Sequence, residues 1–197
     1  MSKLFATKII YTLIISANRK TEMSILPGMK APDFAGTTWH NNAWKDIQSS
    51  DYAGKWLVLF FYPMDFGYIS PSELLALEEK RSELLKINCH VLGVSTDTAL
   101  IHQKFCAVEP KDGGVNGIDF PLLEDPDHVI SNAYGVLKDG SGHTFRSYFI
   151  IDAKGIVRAR VSGDLPVALG IEEIPKKVGD LQAINKTKGW YQNINNE

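Results

Sequence analysis

Seven consecutive apolar residues, Trp56-Leu57-Val58-Leu59-Phe60-Phe61-Tyr62, stop at Pro63. A run with no polar residue on either face reads as a strand buried on both sides, and such strands belong to sheets covered by helices. The period then changes. Leucines at 74, 77, 84 and 85, with Glu78, Glu79, Lys80 and Glu83 between them, predict an amphipathic helix over residues 71–87. His90-Val91-Leu92-Gly93-Val94-Ser95 predicts the next strand, and Thr96-Asp97 the entry to a helix over 98–106. Pro110 to Gly114 reads as a loop, Phe120-Pro121-Leu122-Leu123 as a short extended piece, and 127–134 as a short helix. Two strands, Ser147 to Ile151 and Ile156 to Val161, are joined by Asp152-Ala153-Lys154-Gly155, whose glycine suits a tight hairpin. β-α units followed by an antiparallel hairpin predict an α/β domain with a mixed central sheet flanked by helices.

A chain of 197 residues fits one such domain, with 44% hydrophobic and 22% charged residues. The expected organisation is an extension over 1–24, the domain over 25–186 and a loose tail over 187–197. The net charge of -2 is spread along the chain without a basic stripe, which argues against nucleic acid as a partner. Met1 to Lys20 carries four basic residues and no acid, and its apolar stretch, Ile9 to Ile15, falls short of the ~20 residues of a membrane span. That start fits an unstructured extension, a secretory signal or a mitochondrial presequence within residues 1–22. Cys89 and Cys106 form no CxxC pair, and two thiols favour a reducing, cytoplasmic compartment. His102 and Cys106 lie one helical turn apart without a second ligand pair, so neither a metal site nor a cofactor is expected.

The run Phe61-Tyr62-Pro63-Met64-Asp65-Phe66-Gly67-Tyr68-Ile69-Ser70-Pro71-Ser72-Glu73 resembles the active-site segment of typical two-cysteine peroxiredoxins. Further pieces follow in that family's order: Gly93 to Asp97, Gly113-Gly114, Pro121 to Leu123, Tyr134 to Leu137, Phe145 to Asp152, and Asp164-Leu165-Pro166-Val167. The resemblance covers about residues 25–182 and implies the thioredoxin-like fold. It also implies a chemistry: a cysteine thiolate at a helix start attacks the peroxide O–O bond and becomes a sulfenic acid. A second cysteine then forms a disulfide that a thioredoxin-like reductant opens.

Carried over by position, the resemblance gives Pro63 as the residue that shields the pocket, Arg146 as the arginine that steadies thiolate and peroxide, and Glu73 as the acid that orients it. Gly67 stands where a hydroxyl residue is usual, Ser70 where the peroxidatic cysteine is, and Leu169 where a second arginine is. No cysteine follows Cys106 to serve as a resolving thiol. Serine has no stable counterpart to sulfenic acid, so the expected protein has lost peroxide reduction and acts by binding or assembly, as holdase, scaffold or regulator. The alternative is a working thiol peroxidase, with Ser70 an engineered change or Cys106 serving instead. Ser70 as a hydrolase nucleophile lacks a histidine in a segment that the family brings to this pocket.

Ser70-Pro71-Ser72-Glu73 also has the pattern of a capping box, serine at N-cap, proline at N1 and Glu73 at N3, which predicts that Ser70→Ala lowers stability. The family's assembly implies a homodimer through the Ile156 to Val161 edge. A decamer is the larger alternative, through the segment His102-Gln103-Lys104-Phe105, where Phe105 replaces the usual tryptophan.

Overall fold

The computed structural model describes residues 25–164 and 168–186. The N-terminal extension, Leu165-Pro166-Val167 and the tail beyond Lys186 lie outside the described residues. Seven strands run β1 Ala35–His40, β2 Ala43–Gln48, β3 Trp56–Phe61, β4 Cys89–Ser95, β5 Leu122–Glu124, β6 Arg146–Ile151 and β7 Val157–Gly163. Four α-helices are interspersed, α1 Ser70–Lys86, α2 Ala99–Ala107, α3 Val129–Ala133 and α4 Ile174–Lys186.

The strands form one sheet in the order β2-β1-β5-β4-β3-β6-β7. β3 lies inside it, parallel to β4 and antiparallel to β6, which is the position that an unbroken apolar strand requires. Its residues alternate between two cores. Trp56, Val58 and Phe60 pack with Leu74, Leu77 and Leu84 of α1, Phe105 of α2, and Ile174 and Val178 of α4. Leu57, Leu59 and Phe61 face the other way, onto Phe34, Ile130, Tyr134 and Phe149. The sheet is therefore mixed and covered on both faces.

A hairpin and a helix went unread in the sequence. β1 and β2 form a hairpin whose two-residue turn, Asn41-Asn42, has positive φ at both positions, 52° and 58°. Asparagine is the side chain that tolerates this backbone best, and the double positive φ matches the right-handed twist of the flanking strands. The hairpin is held by Trp39 and Trp44 packed edge to face and by the Thr37 hydroxyl donating to Asp46. In α4, Pro175 and Gly179 obscure a helical stripe in which Ile174, Val178 and Leu181 reach the core.

Leu59 has no solvent exposure and sits where β3 meets the second core. Leu59→Ala is expected to destabilise the protein by about 2–5 kcal/mol through lost burial and an unfilled cavity. A shift in urea midpoint at constant slope measures it.

Candidate functional site

At the C-terminal end of β3 the chain turns through residues 63–69 and enters α1. Pro63 is buried, and the carbonyl before it, that of Tyr62, accepts from the Thr144 hydroxyl at 2.9 Å. Phe66 completes the turn in the left-handed region, φ 55°, with its ring 4.9 Å from that of Phe105. Ser70 is then the first residue of the helix.

The capping box is not formed. The residue at N-cap is Ile69, at φ -106° and ψ -28°, with no side-chain cap. Because Ser70 is already helical, its hydroxyl cannot reach back over the exposed N–H groups. It is instead fully buried and has no hydrogen-bond partner. Glu73 is also engaged elsewhere. One carboxylate oxygen accepts from Arg146, and Oε1 accepts from the Leu169 N–H at 2.9 Å. Ser72 does not cap the helix either: its hydroxyl donates to the Ile69 carbonyl at 2.8 Å, the same carbonyl that accepts the Glu73 N–H.

Glu73 and Arg146 are 3% and 4% exposed, so their ion pair is an interior one that ties α1 to the start of β6. Burial pushes the Glu73 carboxyl above its usual range, against the bond from Leu169 and the Arg146 charge, which lower it. Leu169 itself joins the core beside Ile171 and Ile174, and only its backbone reaches the site. Gly67 lies directly against Ser70: a Cβ there would sit 3.1 Å from Ser70 Oγ and 3.2 Å from the Met64 carbonyl. The structure thus brings Gly67, Ser70, Glu73, Arg146 and the Leu169 backbone together at the head of α1, with Pro63 buried at the end of β3.

A second buried cluster adjoins it, and the sequence reading did not assemble it. Asp65 Oδ1 accepts from the Tyr62 hydroxyl at 2.8 Å, and Asp65 Oδ2 lies 2.8 Å from His102 Nδ1. The Asp65 N–H donates to Asp97 Oδ2 at 2.7 Å, which the Ser95 hydroxyl also reaches. Burial raises the Asp65 carboxyl, with His102 and Tyr62 acting against it. A histidine therefore does come within bonding distance of the segment that leads to Ser70. The helical signal over 98–106 placed His102 on α2, but nothing in the sequence aimed it at Asp65. His102 Nε2 and Ser70 Oγ are both without a partner, so they are not bonded to one another and form no nucleophile–base pair.

The two thiols lie elsewhere. Cys89 opens β4 opposite Trp56, and burial pushes it up to about 12. Cys106 lies in the last turn of α2, half-buried; burial first and the Asp65 charge second push it up to about 12 as well. Neither is a nucleophilic thiolate near neutral pH. Among the described residues no His, Cys, Asp and Glu group of three or more is arranged to hold a metal ion.

A mixed sheet of this order, with the helix after β3 presenting its first turn at the strand's end, is the thioredoxin-like fold. The solved structures agree. A reduced 2-Cys peroxiredoxin of Plasmodium vivax superposes with a TM-score of 0.79 at 30% identity, over 81% of this chain and 83% of that one. The AhpC of Enterococcus faecalis gives 0.78 at 28% identity, over 82% and 95%. Sequence comparison narrows the class. Residues 27–160 match the model of the AhpC/TSA family. Peroxiredoxin 2 of Drosophila melanogaster is 44% identical over 156 residues, 79% of this chain and 80% of that protein. Peroxiredoxin tpx1 of Schizosaccharomyces pombe is 40% identical over 164 residues, 83% and 85%. The chain belongs to the peroxiredoxin (AhpC/TSA) family.

The Ser70 geometry reverses the effect expected from a cap. A buried, unpaired hydroxyl costs about 1–3 kcal/mol of desolvation, so Ser70→Ala is expected to leave the denaturant midpoint unchanged or raise it. A fall equivalent to about 1 kcal/mol or more would reinstate the capping role.

Proposed function

We propose that this protein is a peroxiredoxin that has lost thiol-dependent peroxide reduction and acts by binding, to its own copies or to other chains. The observation that carries the reading is Ser70. It holds the helix-start position at which the family's chemistry needs a thiolate, and its hydroxyl is buried without a base to deprotonate it. A hydroxyl stays protonated there, and oxygen offers no stable equivalent of the sulfenic acid that splits the reaction into two easier steps. On this reading Pro63, Gly67, Glu73 and Arg146 are the remainder of the family's pocket. The Glu73–Arg146 pair persists because it locks α1 to β6, whatever happens at Ser70.

Several features support the loss. With the hydroxyl residue absent at 67 and leucine at 169, the donors that would hold a peroxide are reduced to Arg146, which is bonded to Glu73. Cys106, the alternative thiol, is held protonated by burial. Self-association follows from the fold's open side. β7 is the last strand of the sheet: it pairs with β6 on one side and, at its first residue Val157, with the backbone of Gly28 and Met29 on the other, which leaves the rest of its outer edge as the natural place for a second copy to add its own β7. The decameric alternative would use the segment around α2, where Leu100 and Ile101 are exposed but Phe105 is fully buried. A holdase, scaffold or regulatory role would operate through such assemblies, in the cytoplasm or in a compartment set by residues 1–22.

Hydrogen peroxide consumption, coupled to thioredoxin and its reductase, tests the reading. The chain as written is expected to give no turnover above the uncatalysed background. Ser70→Cys, alone and combined with Gly67→Thr, reports how much of the pocket survives. Turnover at an ordinary peroxidase rate by the unaltered chain would overturn the proposal.

A further inference from the structure

At the end of β3 away from Ser70, the structure encloses a cavity of about 260 Å³. It opens between the segment before β1, the loop before β3 and the β6–β7 turn, and three lysines line it: Lys30, Lys55 and Lys154. Backbone hydrogen bonds fix these three to one place. The Ala31 N–H donates to the Gly155 carbonyl at 2.9 Å, and the Gly54 N–H donates to the Ala153 carbonyl at 3.1 Å. Each lysine-bearing segment is thereby anchored to the turn that carries Lys154. Gly155 serves this arrangement twice. Its φ of 75° makes the turn, and its missing side chain leaves room for Lys30, whose ammonium lies 2.9 Å from where a Cβ would be.

The lysines are not neutralised locally. Among the described residues Lys30 and Lys154 have no carboxylate partner, and Lys55 donates only to the Asp51 carbonyl, at 3.0 Å. Of the two lining carboxylates only Asp152 is paired with another cation, so Asp33 offsets one of the three lysine charges. Asp152 accepts from Arg158 and from the N–H groups of Lys154 and Ile156, and Asp33 accepts the Ser49 hydroxyl. In a chain whose net charge is -2, this is a local excess of cation. Tyr52, half-buried, gives the cavity wall an aromatic side chain, with the buried Phe34 ring 6.1 Å from it.

We propose that this cavity is a binding site for a small aromatic phosphate of nucleoside-monophosphate size. A dianionic phosphate at the mouth would take charge-assisted hydrogen bonds from Lys30, Lys55 and Lys154. A flat ring would lie against Tyr52. The volume falls just under the ~300 Å³ lower bound of drug-sized pockets, which limits the occupant to nothing larger than a mononucleotide. The site is separate from Ser70 and independent of whether peroxide reduction is lost.

Calorimetric titration of the full chain with adenosine 5′-monophosphate, adenosine and inorganic phosphate, at low ionic strength, tests the proposal. The monophosphate is expected to bind saturably, and adenosine and inorganic phosphate each at least tenfold more weakly. Lys30→Ala combined with Lys154→Ala removes two exposed side chains; it is expected to weaken the monophosphate at least tenfold while leaving the thermal midpoint of the free protein in place. Ser70→Cys is expected to bind as the parent does. Absence of saturable binding, equal affinity for inorganic phosphate, or undiminished binding by the double variant would each overturn the assignment.

Discussion

The structure turns on an ion pair that water cannot reach. Glu73, in the first turn of α1, and Arg146, the first residue of β6, meet in the interior, and the Leu169 N–H closes the remaining side of the carboxylate. Two charges taken out of water are tolerated only where geometry and extra hydrogen bonds offset their desolvation, and removing one partner of such a pair costs about 3–5 kcal/mol. α1, the β6–β7 hairpin and the segment leading to α4 are therefore held in one fixed relation. That relation uses no atom of the residue 70 side chain, so it holds whether sulfur or oxygen stands there.

The same constraint explains why no capping box forms at Ser70. Glu73 is the residue that a capping box would require at N3, and Arg146 has claimed it. With the helix already begun at Ser70, the serine hydroxyl faces Gly67 and the core in place of the open N–H groups. Beside it, Asp65 joins Tyr62 and His102 into a second buried polar cluster that fixes the loop between β3 and α1. Buried networks of this kind impose one geometry, because each member would otherwise be left unsatisfied. The loop is thus held from both sides, by aromatic contact at Phe66 and by polar contact at Asp65.

Much of this was legible in the chain. β3 was plain because Trp56 to Tyr62 has no polar interruption, and α1 because its leucines follow the helical period. The family-like run led to Ser70 and Glu73, and the later piece Phe145 to Asp152 to Arg146; the fold brings Arg146 onto Glu73 in the first turn of the helix that Ser70 opens. The hairpin of β1 and β2 escaped because its strands are half exposed and mix threonine, tryptophan and charge, which gives no clean alternation. α4 escaped because Pro175 and Gly179 interrupt its propensity, while its stability comes from Ile174 and Val178 on the core. The capping pattern misled for a different reason. A local motif states which bonds a segment is able to make, but Arg146, distant in sequence, decided which one Glu73 makes. Nor did any local signal direct His102 to Asp65, since that contact exists only after α2 packs.

On the proposed reading, no side chain among the described residues is poised to take oxygen from a peroxide. Intact-mass measurement of the reduced protein, after brief exposure to one equivalent of hydrogen peroxide at neutral pH, tests it most directly. The account predicts an unchanged mass, with Cys89 and Cys106 both recovered as free thiols. Rapid gain of one oxygen, or formation of a disulfide on the same timescale, would contradict it.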